Sequence, residues 1–268
     1  MATKNISNFV VDHVIRGIMT KRNGDYLWSI NEVENPSLNV TLSDTSQAVN
    51  ALGAVIQEFD RGREAEFSAE SSLWDLNLYA AQLGKEKEVA SATSTIITPA
   101  FEEIAIKGEA DETYTLKKIP TTATVPTTIY LLNGDGTLGT SYKAGTAASA
   151  TEFVYATDTH TITLPTGLTK GDVLFVMYEY EAEDAVAVTA DGVNFPKAGK
   201  FYLEVLGTDV CDPDVLIHAY LVSDSAKLDG NVDYSFTTDG KHPFTIRFMQ
   251  SYCDKEKKLF RIIIPNED

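Results

Sequence analysis

Residue types that support enzyme chemistry are present, but they lack the spacing of a known active site. Residues 134–139 (GDGTLG) have the G-x-G-x-x-G spacing, which binds a dinucleotide pyrophosphate when a helix begins at the motif. The following residues, 140–145, show no helical pattern, so we predict a glycine-rich hairpin turn instead. The sequence also lacks the G-x-S-x-G, H-E-x-x-H and Walker lysine motifs. We therefore predict that the chain is not an enzyme.

Metal-ligating residue types are scattered in the same way. A zinc site would need His218 and His242 to approach Cys211 and Cys253 across neighbouring strands, and the short paired spacing of zinc motifs is absent. Two acidic clusters offer the oxygen ligands that calcium prefers, but neither continues into an EF-hand loop. These clusters are Asp209, Asp212 and Asp214, and Glu179, Glu181, Glu183 and Asp184. We expect no metal and no cofactor, and free, reduced thiols with a disulfide as the alternative.

The charge balance excludes another class of function. Asp and Glu together number 39 and Lys and Arg 22, which gives a formal net charge of -17 over 268 residues. Such a chain lacks the basic surface that neutralises nucleic-acid phosphates, and its acidity is also explained by solubility alone. No apolar run approaches the roughly 18 residues of a membrane helix. Residues 1–8 are polar and the run 9–15 is interrupted by charge, so we expect no secretory signal.

The segment from Leu38 to Gly84 carries the clearest structural pattern. Residues 38–43 alternate apolar and polar side chains, as in a half-buried strand. Residues 55–59 and 63–70 continue as strand, and 60–62 between them suit a tight turn or a bulge. In the second piece Ala65, Phe67 and Ala69 are expected to face the core. Asn35-Pro36-Ser37 before the first strand is expected to form a turn.

One short helix is predicted after these strands, over about residues 71–84. Ser71 or Ser72 would cap it, with Asp75 near the positive end of its dipole. An apolar stripe recurs at helical spacing, and Gly84 provides a C-terminal stop. The stripe consists of Leu73, Leu76, Ala80 and Leu83.

The remainder of the chain reads as β-strands. From Ile96 onward, short strands are separated by turns rich in Gly, Asn and Pro. Residues 120–170 are rich in Thr, Ala and Gly and poor in bulky side chains, which is typical of an inserted β subdomain or long exposed hairpins. Residues 231–237 are among the strands predicted near the end. The predicted fold class is mainly β with one short helix.

At this point the sequence resembles a known family. SLNVTLSD (37–44) followed by NALGAVIQEFDRGREAEFSAESSLWDLNLYAAQLG (50–84) is similar to the core of bacteriophage tail tube proteins. GKHPFTIRFMQSYCDKEKKLFRIIIPNED (240–268) is similar to their closing hairpin. The resemblance covers about residues 25–106 and 185–268. It implies a β-sandwich or barrel of the tail-tube type, with residues 1–110 and 185–268 as the core and 111–184 as an insert, or one continuous domain as the alternative.

The resemblance also implies a function without catalysis. In the family, subunits join into hexameric rings, and the rings stack into a tube through which DNA passes without specific binding. Partners would be further copies of the chain and other phage tail proteins. The location would be the virion tail, assembled in the host bacterial cytoplasm as a late protein.

Four acids are the candidate functional residues under this resemblance: Glu58, Asp60, Glu64 and Glu66. They would form a polar face on the long hairpin, and that face would line the lumen, a seam between rings or open solvent. The alternative function is another virion structural protein, such as a capsid decoration or baseplate or adhesion component, because the family pattern does not account for residues 111–184. A third class, a carbohydrate-active or metal-dependent enzyme, rests only on the scattered acids and histidines. The ring number, the host and the contractile or non-contractile type of tail stay open.

Overall fold

The computed structural model describes residues 8–251 and 255–265, and it is mainly β with one short helix, as predicted. The chain divides into two compact units. The first unit comprises the described parts of 1–87 and 188–268, and the second unit comprises 88–187.

The elements follow one another along the chain with the single helix after the fourth strand. In order they are β1 (Phe9–Thr20), β2 (Tyr26–Ile30), β3 (Glu34–Val49), β4 (Val55–Ser71), α1 (Leu76–Gln82), β5 (Glu88–Val89), β6 (Ile96–Ala105), β7 (Thr113–Thr115), β8 (Thr128–Leu132), β9 (Leu138–Ala144), β10 (Glu152–Ala156), β11 (Thr161–Thr163), β12 (Val173–Ala182), β13 (Val186–Ala187), β14 (Ala198–Asp209), β15 (Asp212–Leu228), β16 (His242–Phe248) and β17 (Arg261–Ile263).

The first unit is built on one eight-stranded sheet that curls into a half-barrel. Its strand order is β2-β1-β14-β15-β16-β4-β3, and β17 pairs with β15. The concave face holds the core, in which Phe201 lies 6.1 Å from Trp28 and 6.0 Å from Phe67 between ring centroids. Aromatic rings at this spacing contribute packing energy beyond their buried area. These side chains anchor the strands from which the longest hairpin extends.

Strands β3 and β4 form that hairpin. The predicted alternation is confirmed at its base, where Ala65, Phe67 and Ala69 are buried and pair with β16. The predicted interruption at 60–62 is a bulge, because the register of the two strands shifts opposite Gly62 while both strands continue. The turn predicted around Asn35 is wrong. Strand β3 runs through this segment, and a register shift near Asn35, whose φ is 49°, absorbs the distortion.

The helix is shorter than predicted and has a different cap. Strand β4 continues through Ser71, which leaves Asp75 as the N-cap. Its carboxylate accepts hydrogen bonds from the backbone N–H groups of Asn77 and Leu78, at 2.7 and 3.2 Å. The predicted stripe was wrong at Leu73, which precedes the helix and is exposed. Gly84 does end the helix, with a φ of 75° that favours glycine.

The second unit contains a seven-stranded sheet and a two-stranded sheet. The larger sheet has the order β6-β12-β8-β9-β10-β11-β7, and its core includes Ile129, Phe153 and Leu174. Strands β5 and β13 pair through Val89 and Val186, which brings the two ends of this segment of chain together. Residues 133–137 form the predicted hairpin turn, in which the N–H of Asn133 donates to the carbonyl of Thr137 at 2.9 Å.

The strand predicted at 231–237 is wrong, since these residues lie in no strand. Two of these residues instead pack their aromatic rings on Trp74, which precedes the helix. Tyr234 stacks on Trp74 at 5.1 Å between ring centroids, and Phe236 meets the same indole edge-on at 5.3 Å. Alternating aromatic residues here serve side-chain packing rather than a backbone ladder.

A buried histidine lies beside this aromatic cluster. His242 is fully buried, and its Nε2 lies 2.6 Å from the side-chain oxygen of Gln82. Because that oxygen only accepts, Nε2 carries the proton, and Nδ1 has no partner within the described residues. Burial lowers the pKa of His242, and the charge of Asp75 opposes part of that effect.

The lowered pKa predicts a loss of stability in acid. The folded protein disfavours the imidazolium, so the unfolded chain takes up the proton first, near the ordinary pKa of 6.5. We expect the unfolding free energy, measured in urea, to fall more for wild type than for His242→Gln between about pH 7.5 and about pH 5.5. The substituted glutamine amide still donates a hydrogen bond to Gln82, but it does not take up a proton in this pH range. The exposed control His13→Gln should keep the wild-type pH dependence, and equal slopes for wild type and His242→Gln would contradict the assignment.

Candidate functional site

The outer part of the β3–β4 hairpin is the candidate functional site. Only residues 65–71 of β4 pair with β16, and within the described chain β3 pairs with β4 alone. Beyond this base nearly every residue from 38 to 60 is exposed. The exposed residues include large apolar side chains, with Leu52 exposed by 93% and Ile56 by 66%. A two-stranded ribbon with this much apolar surface is marginal in water unless something else covers it.

The four predicted acids form two pairs along β4. Residues two apart along a strand lie on the same face, so Glu64 shares a face with Glu66, and Glu58 shares a face with Asp60. Each acid lies opposite a polar residue of β3: Asn39 with Glu66, Thr41 with Glu64, Thr45 with Asp60 and Gln47 with Glu58. The Gln47 amide donates to Glu58 at 2.8 Å. We call Asn39, Thr41, Glu64 and Glu66 the acidic face.

The bulge between the two pairs changes the alternation. A Cβ at Gly62 would lie 2.5 Å from the hydroxyl oxygen of Ser43 and 3.5 Å from the Cβ of Asp44, so these two successive residues of β3 lie on the same side as Gly62. Thr45 and its partner Asp60 follow on the other side, so Glu58 and Asp60 lie on the face opposite to Glu64 and Glu66. The crowding also explains why the position is a glycine, since any side chain would displace Ser43.

The face opposite to Glu64 and Glu66 is apolar and carries an arginine. Its members are Leu38, Val40, Leu42 and Arg63, and we call them the arginine face. Leu42 is about half exposed. Arg63 makes no ion pair or side-chain hydrogen bond with the part of the chain that the structure describes. The face continues at its base into the buried Ala65 and Phe67.

The arginine face lies on the concave side of the half-barrel. Leu38 and Phe67 line an apolar groove of about 390 Å³ together with inward-facing residues of β1, β14 and β15. The neighbours from those strands include Val11, Val205 and Leu221. The acidic face therefore lies on the convex side. At its base, the hairpin separates Glu64 and Glu66 from the apolar side chains and Arg63 across the thickness of one ribbon.

The residues considered as possible metal ligands are not brought together where the structure describes them. His218 contacts the carboxylate of Glu204 at 3.0 Å, whereas His242 contacts Gln82. Cys211 is a free thiol on the surface at the turn between β14 and β15, and Cys253 lies outside the described residues. Within residues 8–251 and 255–265 no three His, Cys, Asp or Glu side chains are grouped to hold a metal ion.

No helix in the described ranges is long and apolar enough to cross a bilayer.

Comparison with known proteins gives one family. The family model described as the YomU/Tube protein family matches residues 9–261, which is most of the chain. A search of curated proteins gave no match.

The arginine face was not among the residues singled out in the sequence. The alternation that places Glu64 and Glu66 on one side also places Arg63 on the other, with Ala65 and Phe67. The signal was therefore present in residues 63–67.

The exposed position of the outer hairpin predicts a contrast between two phenylalanines on the same strand. Phe67→Ala removes a buried ring and should cost about 3–5 kcal/mol of unfolding free energy. Phe59→Ala removes a ring that contacts no core, and should change the free energy by no more than about 0.5 kcal/mol. Urea unfolding of the dissociated subunit measures both changes in unfolding free energy. A cost above about 2 kcal/mol for Phe59→Ala would show that the outer hairpin packs on its own subunit.

Proposed function

The chain belongs to the YomU/Tube protein family, a phage tail tube family, and on that premise we propose that it is the subunit of a tail tube. Membership of this family indicates a structural role in the virion tail and self-assembly. The finer proposal is that copies form rings, hexameric by family resemblance, and that the rings stack into a conduit for the genome. No catalytic step is needed for this function.

The two-faced, exposed hairpin is the observation that carries the proposal. Its apolar side chains, among them Leu42, Ile56 and Phe59, are exposed in a single subunit. Covering them with a second copy would gain about 25 cal/mol for each Å² of apolar surface removed from water. A contact between different surfaces of two identical chains repeats from copy to copy, and it closes into a ring when the rotation between copies allows.

The edges of the curled sheet support the same conclusion. Strand β3 is an edge of 16 residues, and the other edge is formed by the short β2 and the adjoining outer part of β1. Long unpaired edges are rare in isolated proteins because their backbone groups pair readily with other strands. We infer that edges of neighbouring copies pair and complete one continuous barrel around the lumen.

The acidic face is proposed to line that lumen. Glu64 and Glu66 would present a negative surface to the negative phosphates of DNA. Glu58 and Asp60 lie on the other face of the ribbon and are proposed as assembly residues of the hairpin. Repulsion acts within about 8 Å at physiological salt, so the genome would pass without adhering. Other tail proteins would bind the ends of the tube, and assembly would take place in the host cytoplasm.

The second unit is proposed to be an insert in the tube core. The core would then be the first unit. The boundaries between core and insert at 110/111 and 184/185 stay a prediction from the sequence. The ends of residues 88–187 are held together by the β5–β13 pair, so a short linker could replace the unit.

One observation favours a second candidate function, a capsid decoration or a baseplate or adhesion component. The second unit presents an apolar sheet face on which Phe101 is exposed by 61% and stacks on Phe175 at 5.8 Å. Met177 extends this face and is also exposed. A decoration would bind preformed capsids and would not polymerise by itself.

Electron microscopy of the purified chain separates the two functions. A tail tube subunit should form rings or tubes at high concentration, and the variant with residues 88–187 replaced by a short linker should do so too. A chain that stays monomeric over a range of salt and binds assembled capsids would reject the tube in favour of the decoration.

Charge reversal of the acidic face tests the lumen assignment. With Glu64→Lys and Glu66→Lys, tubes should still form, and they should retain duplex DNA in a salt-dependent manner. A fluorescent duplex that co-sediments with the tubes measures the retention. The control reverses two exposed acids of the second unit, Glu183 and Asp184. Loss of tubes would instead place the acidic face in a seam between rings, and equal retention by the control would place it in open solvent.

A further inference from the structure

The outer end of the β3–β4 hairpin is apolar and free of charge. No residue from Thr45 to Gln57 is charged, although 23% of the residues in the chain are. The large apolar side chains of this stretch are exposed, Leu52 by 93% and Ile56 by 66%. Copies that each carry a net charge of -17 repel one another. Contacts between copies are therefore favoured where neither surface is charged, and the end of the hairpin is such a surface.

Hydrogen bonds fix the shape of the turn at this end. The N–H of Asn50 donates to the carbonyl of Ala54, and the N–H of Gly53 donates to the carbonyl of Asn50, each at 2.9 Å. The side-chain oxygen of Asn50 accepts from the N–H groups of Leu52 and Ala54, at 3.0 and 2.9 Å. Gly53 has a φ of 82°, which favours glycine. Because the turn is already ordered, docking of its side chains costs little conformational entropy.

Four apolar side chains make up this end of the hairpin. Val49 and Val55 form the last pair of the two strands, and Leu52 lies in the turn between them. Each of the four is more than half exposed, and we call them the apical knob: Val49, Leu52, Val55 and Ile56.

The concave side of the half-barrel holds a recess of the same chemistry. This is the apolar groove described above, which we call the concave groove, and none of its described lining residues is charged. Val11 and Ile262 line it and are exposed by 56% and 60%, and the buried Phe67 and Leu203 line it as well. Its volume of about 390 Å³ is within the range of pockets that enclose a ligand, about 300–1,000 Å³. One subunit therefore presents both an apolar projection and an apolar recess.

The apical knob does not fill the concave groove of its own subunit. Leu38 lines the groove at the base of β3, whereas Val49 ends the same strand 11 residues later. A strand rises about 3.3 Å per residue, so on the order of 35 Å separates the two residues. The exposure of Leu52 confirms that the knob has no cover in its own subunit. Within the described residues, both surfaces are open.

We propose that the apical knob of one copy inserts into the concave groove of another copy. This inference rests on the proposed function, which brings many copies together, and it names the two surfaces that join them. Insertion removes apolar side chains of both surfaces from water without placing a charge of either copy in the contact. Each copy has one knob and one groove, so self-assembly satisfies both surfaces without another partner.

The separation of knob and groove makes this contact head to tail. Each copy inserts its knob into one neighbour and receives the knob of another, because the two surfaces are different parts of the chain. The contact therefore repeats through a series of copies, which closes when the rotation between copies allows. The distance on the order of 35 Å between the two surfaces sets how far joined copies are displaced along the hairpin.

Aspartate substitutions at the two surfaces test the contact. Leu52→Asp should raise the protein concentration needed for rings or tubes in electron microscopy at least about tenfold, because the groove offers its carboxylate no partner. Val11→Asp should have the same effect from the groove side. Circular dichroism and urea unfolding should show both variants folded as wild type.

Each substitution has a matched control. Val10→Asp changes the preceding residue of β1, which is exposed by 52% and does not line the groove. Leu138→Asp changes an exposed leucine at the start of β9, in the hairpin of the second unit. Both controls should assemble at the wild-type concentration.

Cross-linking tests which surfaces meet, and it stays decisive where an aspartate variant fails to fold. In a chain with Cys211→Ser and Cys253→Ser, one variant carries Leu52→Cys and a second carries Val11→Cys. The two are mixed in equal amounts before assembly and treated with a short bismaleimide. Linked dimers of the two variants should form, identified by peptide mass spectrometry, and either variant alone should give at least about tenfold fewer linked dimers.

Three results would overturn the inference. The first is normal assembly of Leu52→Asp beside wild type, and failure of Val11→Asp alone would then assign the groove to another segment, such as residues 1–7 or 266–268. The second is equal loss of assembly with Val10→Asp, which would place the contact at the edge of β1 and not in the groove. The third is efficient cross-linking of Leu52→Cys alone, which would place knob against knob. All three leave the tube function standing, whereas failure of wild type to assemble rejects the proposed function itself.

Discussion

Alternation of side chains along β4 is the constraint on which the rest of the structure depends. A strand places successive residues on opposite faces, and the core covers only one face of β4, and only from Ala65 onward. Before Ala65 the inward-facing Arg63 has no core to contact, and farther out Ile56 and Phe59 are exposed. The strand cannot bury these residues within its own subunit, so the fold leaves an apolar surface whose cover must come from another chain.

Charge is divided between the two faces at the base of the hairpin by the same alternation. Glu64 and Glu66 lie on one face, and Arg63 lies on the other. The bulge at Ser43 and Gly62 exchanges the faces farther out, so Glu58 and Asp60 lie on the side of Arg63. Under the proposed function, the acids of one face repel the phosphates of DNA, while the exposed apolar side chains of the hairpin contact a copy of the same chain. This combination needs no cofactor and no perturbed catalytic group.

Much of the fold follows from local sequence, and the misses have physical causes. The burial of Ala65, Phe67 and Ala69 follows from period-two alternation, and Gly84 ends the helix because its φ is positive. The helix start was misplaced because β16 extends the pairing of β4 through Ser71, which is information from a distant part of the chain. Residues 231–237 were misread for a similar reason, since Tyr234 packs on Trp74, 160 residues earlier. The four acids were singled out from residue types alone, whereas their division into two pairs depends on how β3 and β4 pair through the bulge.

A cryo-electron microscopy reconstruction of the assembled particle tests the central claim most directly. The account predicts a ring in which the hairpin of each subunit lies against its neighbour, with Phe59 covered by that neighbour and Glu64 directed toward an open axis. A reconstruction in which the outer hairpin projects freely into solvent, or in which Glu64 is buried between stacked rings, would contradict it.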